Sequence, residues 1–160
     1  MTADSPIAYY RRILFCTDFS ENADFAFGFA LDAACRRPEA RLYLLHVVPE
    51  SEAQFWKTYI YEVDDVDDKA RHDIDDKIQT AYLSRIPAEV AHEVVFKVGR
   101  ADEVILEFAE ENAIDLIVIG RQGHGGGIHQ AFFGNVAEKI ARKAACAVLI
   151  VPLSFKGCFE

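Results

Sequence analysis

Basic residues are in short supply in this 160-residue sequence. Lys and Arg number 17 against 26 Asp and Glu, a net charge of −9. That balance excludes broad electrostatic binding to nucleic acid or to an anionic membrane, but leaves room for one small anion held by backbone dipoles. No apolar run approaches the ~18 residues of a membrane span. The opening MTADSPIAYYRR lacks the apolar core of a signal peptide. Cysteine is sparse: Cys16, Cys35, Cys146 and Cys158 form no C-x-x-C pair, and no histidines stand at zinc-finger distances from them. Cys16 and Cys146 lie in apolar runs and read as small buried hydrophobes. The expectation is a cytoplasmic protein with reduced thiols. Also missing are a readable nucleophile–base pair and an acid placed to orient water at a phosphoryl group, so no fast enzyme is indicated.

What is present is globular: 51% hydrophobic and 27% charged residues. The length predicts a single domain over 1–160 with its core at about 11–153, able to bury roughly 70% of its unfolded surface. Strand and helix signals alternate. Arg12 to Cys16 is a short apolar run. Ser20 is placed to N-cap a helix that runs to about Arg37, with Ala26, Phe27, Ala30, Leu31 and Ala34 on its core face. Leu42 to Val48 is a second strand. Val63, Val66, Ala70, Ile74, Ile78 and Ala81 recur at helical spacing. A strand over Val90–Val98 puts Val90, Val94, Phe96 and Val98 on one side. A helix over Glu103–Asn112 follows, then the apolar strand Asp115–Ile119. A final helix is expected from near Gly134 and Asn135, carrying Val136, Ile140 and Ala144, and Ala147–Val151 is the last strand. Three of the five strands are apolar throughout, as when helices cover both faces. The prediction is a three-layer α/β/α fold around a parallel sheet with right-handed crossovers, its ligands taken at the carboxyl ends of strands.

Two loops are equipped for that position. Five of the nine glycines fall within Gly120–Gly127. Glycine lets backbone N–H groups turn toward an anion, and the helix that follows adds free N–H groups. The loop carries neither G-K-[ST] nor G-x-G-x-x-G, which argues against a P-loop hydrolase and a dinucleotide-binding Rossmann domain. The other loop is Thr17-Asp18-Phe19-Ser20. Its acid either accepts hydrogen bonds from a ribose or base, or simply caps the next helix.

The run Ile13-Leu14-Phe15-Cys16-Thr17-Asp18-Phe19-Ser20-Glu21-Asn22-Ala23 resembles the opening of the universal stress protein family. Leu44-Leu45-His46-Val47, Asp115–Gly120, Gly134–Glu138 and Cys146–Pro152 resemble its second strand, fourth strand, last helix and last strand. The resemblance implies a Rossmann-like five-stranded sheet in order 3-2-1-4-5, and ATP, ADP or AMP as ligand, with Mg²⁺ accompanying the nucleotide. By that resemblance Thr17, Asp18 and Val47 lie at the adenosine, Val47 mainly through its backbone. Gly120, Gly123, Gly134 and Asn135 surround ribose and phosphates, with Val136 beside them. Read from the residues themselves, Arg121, His124 and His129 either supply charge or hydrogen bonds to phosphates or decorate an exposed loop. The family signature is G-x2-G-x9-G-[ST]. Here ten residues, 124–133, separate Gly123 from Gly134, and Asn135 replaces the Ser or Thr. A nucleotide-binding stress regulator is the first reading. A dimer working through protein contacts without nucleotide is the second, and a slow ATPase the third.

The last strand, Ala147–Val151, is expected at a sheet edge, and the resemblance implies a homodimer formed through it. The eight acids and three bases of residues 62–77 read as a solvated helix face. His46 and His92 read as core histidines. Phe25 and Phe29 either widen the core or form a contact patch. The aromatic stretch 55–61 is expected to fold over the nucleotide or pack across the dimer.

Overall fold

The computed structural model describes residues 9–51, 72, 75–121 and 128–159. Five parallel strands form one sheet in the order β3-β2-β1-β4-β5. They are β1 (Arg12–Cys16), β2 (Arg41–Val48), β3 (Ala91–Val98), β4 (Leu116–Gly120) and β5 (Ala147–Val151). The helices are α1 (Glu21–Cys35), α2 (75–81), α3 (Ala101–Glu111) and α4 (Ile128–Lys143). Short 3₁₀ turns occupy Leu83–Arg85 and Leu153–Phe159. Both the order and the parallel pairing match the expected fold.

The strand runs are continuous hydrophobes because both faces are covered. All five residues of β4 are buried, as are Ile13, Leu14, Phe15 and Cys16 of β1. One face packs on α1 and α2 through Ala26, Phe27, Ala30, Ala34, Ile78 and Tyr82. The other packs on α3 and α4 through Ile105, Phe108, Ala109, Val136, Ala137 and Ile140. Small alanines on α1 let its backbone approach the sheet closely, and Ser20 caps it by accepting the Ala23 N–H at 3.1 Å.

Several expectations are corrected. The last helix begins at Ile128, so Gly134 and Asn135 lie inside it and not at its start. A glycine is tolerated there, at a cost of about 1 kcal/mol relative to alanine, when the flanking run favours helix. The third helix begins at Ala101, two residues before the expected Glu103. The shared face of β3 is buried only at its entry. Val90 is buried and Val94 half-buried, whereas His92, Phe96 and Val98 are exposed, because β3 is a sheet edge among the described strands. His92 is therefore no core histidine. Cys146 is half-buried where full burial was expected. Phe25 and Phe29 are partly buried against the α1-face core and meet edge to face at 5.4 Å. The aromatic stretch 55–61, and most of the acidic run 62–77, lie outside the described residues. No helix among the described residues is long and apolar enough to cross a membrane.

Candidate functional site

The sheet order places β1 beside β4, with Cys16 opposite Ile119. Thr17 and Gly120 therefore emerge side by side at the switch point, as the strand order required.

The turn after β1 is tied on every side. The Thr17 N–H donates to the Leu45 carbonyl at 3.0 Å. The Thr17 hydroxyl oxygen accepts the Phe19 N–H at 2.9 Å, and Asp18 Oδ1 accepts the Ser20 N–H at 3.0 Å. His46 Nδ1 stands 2.8 Å from the Thr17 carbonyl. A carbonyl only accepts, so this ring nitrogen carries the proton. His46 thus braces the turn, a role that neither a core nor a ligand reading anticipated. Phe19 has φ of 62°, a left-handed conformation rare for a bulky residue. Its ring is held 4.7 Å from the His46 ring and lies under the Lys77 ammonium at 4.7 Å.

Behind the turn, Tyr82 is fully buried. Its hydroxyl bonds the Thr17 hydroxyl and donates to Asp24 Oδ1 at 2.7 Å. Since the Tyr82 proton is committed to Asp24, the Thr17 hydroxyl must donate to Tyr82. The chain runs one way, from Thr17 through Tyr82 to the Asp24 carboxylate. Burial pushes the Tyr82 phenol up, so it stays protonated.

The loop after β4 begins at Gly120. A Cβ there would stand 3.0 Å from the Asn22 side chain and 3.2 Å from its backbone carbonyl carbon. The glycine thus lets the first turn of α1 seat against the end of β4. Asn22 Nδ2 donates to the Val151 carbonyl at 2.8 Å, and the Arg121 N–H donates to the same oxygen at 3.0 Å. The Arg121 residue is exposed. Gly123 and His124 lie outside the described residues.

A cavity of about 420 Å³ opens at the carboxyl ends of β2 and β3. Val47, Pro49, Gly99, Ala101 and Val136 give it apolar walls, while Glu50, Arg100, Asp102, Asn135 and Lys139 supply its polar groups. It brings together three of the expected site residues: Val47, Asn135 and Val136. Thr17, Asp18, Gly120 and Arg121 stand at the neighbouring strand ends and do not line it. Gly134 precedes Asn135 within α4. Gly99, which closes β3 with φ of 147°, lets the chain turn into α3 beneath the cavity.

The other seven residues of this cavity escaped sequence reasoning, Asp102 and Lys139 among them. Asp102 is an acid in the first turn of a helix, an ordinary dipole-stabilising choice, yet its side chain is only 9% exposed. Lys139 stands one turn beyond Asn135 on α4. A larger groove of about 720 Å³ runs along the outer side of α1, past Phe25, Gly28, Phe29 and Arg85. It starts at Glu21 and Asp24 in the first turn of α1 but contains none of the expected site residues, so the smaller cavity is the better candidate. Among the described residues, no three His, Cys, Asp or Glu side chains converge as a metal site.

Comparison with known proteins agrees with this architecture. The model of the universal stress protein family matches residues 9–152. Universal stress protein MJ0577 of Methanocaldococcus jannaschii is 26% identical over 159 residues, covering 89% of this chain and 94% of that protein. Its solved structure superposes with a TM-score of 0.68 at 24% identity, over 91% of this chain and 97% of the other. A universal stress protein solved in complex with cAMP gives a TM-score of 0.59 at 23% identity, over 90% and 98% of the two chains. The Archaeoglobus fulgidus universal stress protein, solved in complex with dAMP, gives 0.58 at 22%, over 90% and 99%.

Proposed function

Because the chain belongs to the universal stress protein family, we propose that it binds ATP or a related adenine nucleotide, ADP or AMP, and acts as a ligand-dependent regulator in a stress response. The observation that carries this reading is the meeting of Val47 with Asn135 and Val136 around one cavity, beside the β1/β4 switch point. The complexes of two structural neighbours with cAMP and dAMP support the choice of an adenine nucleotide. The nucleoside lies against Val47, with Thr17 and Asp18 at its ribose side. The phosphates lie toward Gly120, Arg121, Gly123 and His124, with Gly134 and Asn135 at the facing helix. Residues 120–134 contain Arg121 and no acid, so the local charge suits phosphate despite the overall −9. Mg²⁺ enters with the triphosphate.

Titration calorimetry with ATP, ADP and AMP tests the reading. Binding weakened by Asp18→Ala and Gly123→Val is the expected result. Absence of both heat and thermal shift at millimolar nucleotide overturns it.

The protein works as a homodimer joined through β5. That strand pairs with β4 on one side, and among the described strands nothing pairs with its other side. Leu149 is 38% exposed on it, near the exposed rings of Tyr9 and Tyr10. An unpaired apolar edge is normally covered. Sedimentation at micromolar concentration should give twice the chain mass, and a monomer mass refutes the pairing.

A second reading, a dimer that binds no nucleotide, is favoured by one observation. Asn135 lies well inside α4 instead of at its start, so its backbone N–H is not one of the free donors of the first turn. The same titration separates the two readings.

A further inference from the structure

Tyr82 meets the β1 turn from behind. It is fully buried and lines neither the cavity at the strand ends nor the groove along α1. Its ring packs on Phe15 and Phe27 at 5.3 and 4.9 Å. Its N–H donates to the Ile78 carbonyl at 2.9 Å, and its carbonyl accepts the Arg85 N–H at 3.0 Å. Ring and backbone are both fixed, so the hydroxyl is carried to one place.

That place governs the turn. Phe19 holds a left-handed conformation that a bulky residue keeps only when its surroundings impose it. Two of the contacts that impose it lead to Tyr82. The Phe19 N–H donates to the Thr17 hydroxyl oxygen at 2.9 Å, and the Phe19 ring lies 6.1 Å from the Tyr82 ring. A hydroxyl accepts at its lone pairs while its own proton points elsewhere. The Thr17 proton points to Tyr82, because Asp24 takes the Tyr82 proton. A residue 65 positions away therefore orients the hydroxyl on which the turn closes. Asp18 lies within that turn, between Thr17 and Phe19, and its backbone is held by the same bond.

We propose that Tyr82 is a positioning residue of the ligand site: by taking the Thr17 proton it holds the left-handed turn from which Asp18 meets the ribose. This rests on the nucleotide-binding reading above. It adds to that reading a residue that touches no ligand and acts through Thr17 and Asp18. A turn released from Tyr82 must be ordered again each time a ligand binds, and that ordering is subtracted from the affinity.

The test is calorimetry with ATP and with 2′,3′-dideoxy-ATP, which lacks the ribose hydroxyls, with melting temperatures measured alongside. The wild-type protein should bind ATP at least about 10-fold more tightly than the dideoxy analogue, since a charged acceptor loses its donors. Tyr82→Phe keeps the ring. It should weaken ATP about 3- to 10-fold, the worth of one hydrogen bond, and leave the dideoxy analogue within about 2-fold of wild type. The double variant Thr17→Val with Tyr82→Phe removes both hydroxyls of the buried pair. It should regain part of the melting temperature while the ATP-to-dideoxy ratio stays low, and it carries the test if Tyr82→Phe alone does not fold. A ratio that recovers with the melting temperature shows that Tyr82 serves the fold alone, and overturns the assignment. Equal weakening of both ligands in Tyr82→Phe, or an unchanged ratio, overturns it as well. Equal wild-type affinity for the two ligands removes the ribose from Asp18 and overturns it too, leaving nucleotide binding standing. If neither probe binds the wild-type protein, the nucleotide reading fails and the assignment falls with it.

Discussion

On one face of the sheet Phe15, Phe27 and Tyr82 pack edge to face or tilted, with ring centroids 4.9 to 5.3 Å apart, and a polar chain threads through them to the β1 turn. On the other face the residues under α3 and α4 are mostly aliphatic: Leu14, Leu45, Ile117, Ile119, Val136 and Ile140. Its aromatic pair, Tyr43 and Phe108, packs at 5.7 Å. The aromatic face locks a turn in place through directional bonds. The aliphatic face offers shape without direction, and it opens at the strand ends into the cavity. Rigidity and space are thus supplied from opposite sides of one sheet. A ligand at the seam between them would be oriented by the first and accommodated by the second.

This contrast can be broken experimentally. The largest effect is expected from Phe27→Ala, about 3–5 kcal/mol of unfolding free energy by denaturant titration. Ile140→Ala on the opposite face should cost somewhat less, and a larger loss there would invert the comparison. Tyr82→Phe preserves the packing and deletes the hydroxyl between Thr17 and Asp24. A loss of about 1–3 kcal/mol is expected, since two groups lose their partner. A neutral result would mean that the polar chain adds nothing to the aromatic packing. Gly120→Ala should cost about 1–2 kcal/mol by pushing a Cβ onto Asn22. Gly157→Ala, with nothing within 4 Å, is its control and should be near neutral. The smallest signal is chemical. Cys35 and Cys158 are exposed and should react promptly with a thiol reagent at pH 8. Cys16 should react only on unfolding, because burial pushes its thiol up and the thiolate is the reactive form.

Much of the fold was legible in the sequence because apolar runs bounded by Gly, Pro and Asp mark buried parallel strands directly. The strand order came from the family resemblance, which the pairings of β1 with both β2 and β4 match. The start of the last helix was misplaced for a physical reason. Gly134 and Asn135 look like helix-opening residues, but the preceding Ile128–Phe133 run is helical. His46 looked like core because its neighbours are apolar, while its partner, the Thr17 carbonyl, is brought in by the β1/β2 pairing, which local pattern does not encode. Asp102 was invisible in the same sense. An acid in a first helical turn is commonplace, and only the packing of α4 against α3 makes it a buried one.

The bond from Asn22 to the Val151 carbonyl spans 129 positions of the chain. During synthesis the strand β1 emerges first, yet it lies at the centre of the finished sheet and waits for both neighbours. The amide that seats α1 against β4 finds its acceptor only when β5 has left the ribosome. Contacts of such separation slow folding. The clasp at the switch-point end of the sheet therefore cannot close before β5 is made, and a nascent chain short of residue 151 would carry the β1 turn without it.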